Sequence, residues 1–100
     1  MNEFELIDRL KPLLPRNDSV VVGAGDDCAV LTAPAAGQQL LFKTDAVVEG
    51  VHFTAETPGE KVGRKALARA VSDIAAMAGT PTSAVITLGL PSGFSPDRVE

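Results

Sequence analysis

Apolar residues recur along this chain with two different periods. Phe4, Leu6, Ile7, Leu10 and Leu14 follow helical spacing, so residues 3–10 are expected to form a short amphipathic helix, ended by Pro12 and Pro15. The β-branched run SVVVG (19–23) predicts a strand closed by glycine. Gly23 to Asp27 reads as a tight turn, CAVLTA (28–33) as a second strand, and Pro34 to Gly37 as a hairpin-type turn. QLLFKTDAVVEGVHF (39–53) is a long apolar stretch, interrupted by Lys43, Thr44 and Asp45 and again by Glu49 and Gly50.

The clearest helix is predicted over 58–78. Pro58 and Gly59 open it, and Gly79-Thr80-Pro81 close it. Its apolar stripe has Val62, Ala66, Ala70 and Met77 on one edge and Leu67, Val71, Ile74 and Ala78 on the other. SAVITLGLP (83–91) predicts a buried strand, and Ser95-Pro96-Asp97 the opening of another helix. A chain ending at Glu100, inside that helix, is expected to be part of a longer protein. Three early strands, a crossover helix and a fourth strand predict an α+β fold: a mixed, mostly antiparallel sheet with helices on one face.

The length of 100 residues limits the chain to one domain, 1–100. A folded monomer of this mass is expected to bury roughly 64% of its extended-chain surface. With 45% hydrophobic and 22% charged residues, the composition is that of a globular protein and not of a disordered one. The formal net charge is −4, all of it arising in residues 1–50, where 4 basic and 8 acidic side chains lie. No basic cluster is present to favour nucleic acid or an anionic membrane. The single Cys28 excludes an internal disulfide and a thiolate zinc site. The start, MNEFELIDRLKPLL, lacks the features of a signal peptide, so a cytoplasmic location is expected.

Three aspartates stand in unusual settings. Asp27 follows a Gly-x-Gly turn, which suits close approach to a ligand but equally an ordinary polar hairpin. Asp45 interrupts an apolar strand pattern and needs either a metal or a partner, Lys43 being two residues away on the same strand face. Asp73 falls on an apolar edge of the long helix, where it would be a functional carboxylate or the i,i+4 partner of Arg69. Together the three suggest a Mg²⁺ site, to which Thr44 would add a hydroxyl or carbonyl oxygen. The lone His52 reads on its own as a hydrogen-bonded strand end.

GAGDDCAVL (23–31), KTDAVVEGVHF (43–53) and KALARAVSDIAAMAGTP (65–81) occur in this order over nearly the whole chain. Together they resemble the N-terminal part of the thiamine-monophosphate kinase family, within the aminoimidazole-ribonucleotide-synthetase-like superfamily. The resemblance implies an ATP- and Mg²⁺-dependent phosphorylation of thiamine monophosphate to thiamine diphosphate. It also implies an α+β N-terminal domain whose sheet pairs with its copy in a homodimer. By motif, Asp27, Thr44, Asp45 and Asp73 would be magnesium ligands, His52 would contact the thiamine substrate, and Asp26 would lie behind the metal.

Lys43 departs from the family, which often has Ser or Thr there; only its backbone carbonyl would serve a metal, which leaves the number of magnesium ions open. A downstream GGDT-type segment and a C-terminal domain, expected of such a kinase, are not among these residues, so the 100 residues alone are not expected to be a complete catalyst. Other enzymes of the superfamily, the hydrogenase-maturation dehydratase and selenophosphate synthetase types among them, are alternatives, as is a non-catalytic dimerisation or binding module. The VEGVHF ending favours the thiamine enzyme.

Overall fold

The computed structural model describes residues 2–100. It contains helix α1 (Glu3–Leu10), a 3₁₀ turn (Lys11–Leu13), strands β1 (Val20–Val22) and β2 (Val30–Leu31), helix α2 (Gly59–Ala76) and a final 3₁₀ turn (Pro96–Arg98). Two helices with a two-stranded antiparallel sheet make the chain α+β. The residues divide into two compact units, Met1–Gln38 with Thr82–Glu100, and Gln39–Pro81.

In the first unit, α1 starts at Asn2. The Asn2 side chain accepts from the Glu5 N–H, and the Glu5 carboxylate accepts from the Asn2 N–H, both at 2.9 Å. This reciprocal capping box satisfies two donors that a helix start otherwise leaves open. Pro12 lies in the 3₁₀ turn that ends the helix, as its missing N–H requires. Strand β1 pairs with β2 in the register Val20–Leu31 and Val22–Val30, with an irregularity between Val20 and Val22. Gly25, between the strands, has φ +110, and a Cβ there would collide with the Lys11 side chain. The Asn17 side chain donates to the Thr82 carbonyl at 2.8 Å, and Arg9 pairs with both Asp97 and Glu100. These contacts join the two ends of the chain within one unit.

In the second unit, α2 carries a half-buried stripe of Val62, Ala66, Ala70 and Ile74. Its end is a complete Schellman motif: the Ala78 N–H donates to the Ala75 carbonyl (2.9 Å) and the Gly79 N–H to the Ile74 carbonyl (3.0 Å). The sequence predicts glycine as the terminator, but the left-handed residue is Ala78, at φ 57. Gly79 follows it, and a Cβ there would collide with the Leu41 side chain.

Two expectations are corrected. Residues 39–53 and 83–91 do not join a sheet: among the described residues the only further bridging near either is an isolated contact between Glu49 and Phe53. The expected final helix is a single 3₁₀ turn, and Ser95 gives it no side-chain cap. An apolar run can form a strand only where a neighbouring backbone takes its N–H and C=O groups, and none does so here. Phe42, Val85 and Ile86 are accordingly 81%, 86% and 72% exposed. No described residue is buried, and the accessible surface is 8164 Å². A folded monomer of this mass would expose about 5,400 Å².

Candidate functional site

Helix α2 brings Lys65, Arg69 and Asp73 to one face, because residues four apart lie one turn above each other. With Ala68, Ser72 and Asp45 they line an open recess of about 420 Å³ in the second unit. Asp45 comes from the apolar stretch that precedes the helix. Its carboxylate accepts from the Ala46 N–H at 2.8 Å. That bond, with the nearby Arg69 and Lys43 cations, holds the Asp45 pKa below the usual aspartate range.

Sequence spacing predicts ion pairs between Lys43 and Asp45 and between Arg69 and Asp73, if these groups are paired at all. The structure keeps the Lys43–Asp45 pair at 4.0 Å, but its closer contacts run crosswise. The Lys43 ammonium lies 2.7 Å from an Asp73 oxygen, and Arg69 lies 3.4 Å from Asp45. Lys43 is also 4.0 Å from the second Asp45 oxygen, so its ammonium stands between the two carboxylates. The hydrogen bond and charge of Asp73 hold Lys43 above the usual lysine range. Asp73 itself is 53% exposed, not set into the apolar edge that its helical position predicts.

His52 Nδ1 accepts from the Val48 N–H at 2.9 Å, so the imidazole carries its proton on Nε2. The His52 backbone carbonyl accepts from Lys65, which links this turn to the recess. The turn itself forms at Gly50, whose φ of +82 suits glycine, and is closed by the Gly50 N–H to the Phe53 carbonyl at 2.7 Å. Thr44 is exposed between Lys43 and Asp45. Asp27 belongs to the first unit, where its N–H donates to the Asp26 carboxylate at 2.8 Å.

Thus Lys43, Asp45 and Asp73 come together, and no cluster of three or more His, Cys, Asp or Glu side chains suited to a metal exists among the described residues. The donor chemistry still fits Mg²⁺, which is commonly held by one or two carboxylates together with substrate phosphates and waters. Lys65 and Arg69 were not singled out as site residues from the sequence. Their signal was the i, i+4, i+8 spacing with Asp73.

Residues 25–100 match the family model described as AIR synthase related protein, N-terminal domain. The chain belongs to this family. It is similar to proteins named thiamine-monophosphate kinase: 40% identical to that of Bacillus subtilis (strain 168) over 101 residues, covering 100% of this chain and 31% of the relative. The identity to the protein of that name from Synechococcus elongatus is 51% over 69 residues, covering 68% of this chain and 21% of the relative. To the Aquifex aeolicus protein it is 41% over 102 residues, covering 100% and 30%. The chain therefore spans about a third or less of the length of these relatives. No solved structure matches it significantly. Among the described residues, no helix is long and apolar enough to cross a membrane.

Proposed function

We propose that this chain supplies part of the magnesium- and phosphate-binding half of an ATP-dependent kinase that converts thiamine monophosphate to thiamine diphosphate. The observation that carries this reading is similarity over the whole of this chain to the thiamine-monophosphate kinase of Bacillus subtilis, in a chain whose recess joins two carboxylates to two helix-borne cations. Asp45 and Asp73, with Thr44 and the backbone carbonyl of Lys43, would hold Mg²⁺, which when bound neutralises phosphate charge during transfer. Lys65 and Arg69 orient anionic phosphate groups over the recess. His52 offers its Nε2–H to the thiamine substrate. The acceptor is a phosphate oxygen already ionised at neutral pH, so no side chain needs to remove a proton. That oxygen attacks the γ-phosphorus of ATP in line, the bond to the β,γ-bridging oxygen breaks, and ADP leaves. The working form is a cytoplasmic homodimer in which sheets of the two copies pair.

The test is ADP release by the full-length gene product with ATP and Mg²⁺. Release that depends on thiamine monophosphate supports the reading. Release that depends on another acceptor would assign the protein to a different branch of the superfamily, and none at all would favour a non-catalytic binding module.

A further inference from the structure

The two carboxylates of the recess already share a cation of the protein. The Lys43 ammonium is 2.7 Å from Asp73 and 4.0 Å from Asp45, and Arg69 is 3.4 Å from the other Asp45 oxygen. Each carboxylate therefore has a basic side chain of the protein against it. A divalent cation held by Asp45 and Asp73 would compete with this ammonium for their charge. Lysine suits displacement: its charge is a point at the end of a flexible four-carbon stem, and here the side chain is 36% exposed. Arg69 reaches Asp45 from α2 by a longer contact and leaves the Asp73 side of the recess to Lys43.

We propose that Lys43 is a resident counter-cation of this site, which competes with a divalent metal ion for Asp45 and Asp73 and gives way when phosphate groups arrive to receive its ammonium. This rests on the metal-site reading given above and goes further, because it makes metal uptake depend on the nucleotide. Without phosphates, a divalent ion must displace Lys43 into water and then remain beside a like charge. With them, the displaced ammonium gains an anionic partner, so metal and nucleotide each favour the binding of the other. Lys43 acts here as a positioning residue, through the carboxylates, and not as a group that reacts.

The experiment is a Mn²⁺ titration of the full-length protein, followed by electron paramagnetic resonance of the free ion, with and without a non-hydrolysable ATP analogue. The proteins are the parent, Lys43→Met, Lys43→Gln and Lys43→Arg. An exposed ion pair of this kind shifts a competing equilibrium by up to about fivefold. Lys43→Met and Lys43→Gln are expected to bind Mn²⁺ more tightly than the parent by about that factor without nucleotide, and to gain less from its addition. Lys43→Arg keeps the charge and is expected to stay close to the parent. The two neutral variants differ in polarity and shape, so misfolding of one, detected by circular dichroism, leaves the other to decide. Equal or weaker Mn²⁺ binding by a folded neutral variant would overturn the competition alone. Failure of every protein to bind Mn²⁺, with or without nucleotide, would overturn the metal-site reading and the competition with it.

Discussion

Ala78→Gly is expected to stabilise the end of α2. Ala78 has φ 57, the left-handed conformation that the Schellman motif requires, and its side chain is exposed. Holding a non-glycine residue there costs roughly 1–2 kcal/mol. Glycine removes that strain but adds freedom to the unfolded chain, which offsets about 0.4–1 kcal/mol. Little packing is lost with an exposed methyl group, so the net gain is about 0.5–1 kcal/mol. The local readout is hydrogen exchange of the Gly79 amide, which donates to the Ile74 carbonyl at 3.0 Å. At RT near 0.6 kcal/mol, that gain slows exchange through local opening by about two- to fivefold after correction for intrinsic rates. The companion Gly79→Ala should act in the opposite direction. Its new Cβ would collide with the Leu41 side chain and lie 3.1 Å from Ile74 Cγ2. If Ala78→Gly leaves the Gly79 amide unchanged or speeds its exchange, the left-handed strain assigned to Ala78 is wrong.

Asp73→Asn should abolish most of the thermal stabilisation that Mg²⁺ and a non-hydrolysable ATP analogue give the full-length protein, roughly 2.7 kcal/mol at 100 times Kd in the parent. A retained ligand-dependent shift would exclude Asp73 as a metal ligand. His52→Ala should raise KM for thiamine monophosphate more than KM for ATP, and steady-state kinetics giving equal effects would remove His52 from the substrate site. The Asp45 pKa is lowered by the Ala46 N–H first and by Arg69 and Lys43 further, so its contribution is fully present above the unfolded value near 3.8 and is lost as pH falls through the lower folded value. Thermal unfolding of the metal-free parent and of Asp45→Asn should therefore differ by a constant amount at neutral pH and converge only in that acid window. A difference that disappears already between pH 6 and 8 would point to another group.

Both helices were legible because their signals are local. The spacing of Phe4, Ile7 and Leu10 predicts α1 over its observed range, and the 58–78 helix is observed over Gly59–Ala76. The β1–β2 pair was likewise visible, as the β-branched run 19–23 and a second strand over 28–33 on either side of a glycine turn. The segments 39–53 and 83–91 were harder, because an apolar pattern gives the capacity to form a strand without naming the backbone that would pair with it. The site shows the same limit. The charged residues Lys43, Asp45, Arg69 and Asp73 were all legible, but spacing can pair charges only with neighbours in sequence. Tertiary contact instead carried Lys43 across to Asp73, 30 positions away, and Arg69 back to Asp45.

The way Arg9 meets Asp97 and Glu100 also has a consequence for the order of events during synthesis. The unit that contains these residues is discontinuous, made of Met1–Gln38 and Thr82–Glu100. Its two parts cannot close until the ribosome has released the second. The Gln39–Pro81 unit is continuous, so the contacts among Lys43, Asp45, Arg69 and Asp73 become possible as soon as α2 has emerged. A vectorially made chain would thus assemble the charged recess before the two segments of the first unit are joined. Closing those segments across some 90 residues costs only slowly growing loop entropy, but it depends in part on exposed ion pairs that salt screens. Nascent chains of this protein should therefore show early protection over residues 39–81 and later, salt-sensitive protection over residues 1–38 and 82–100.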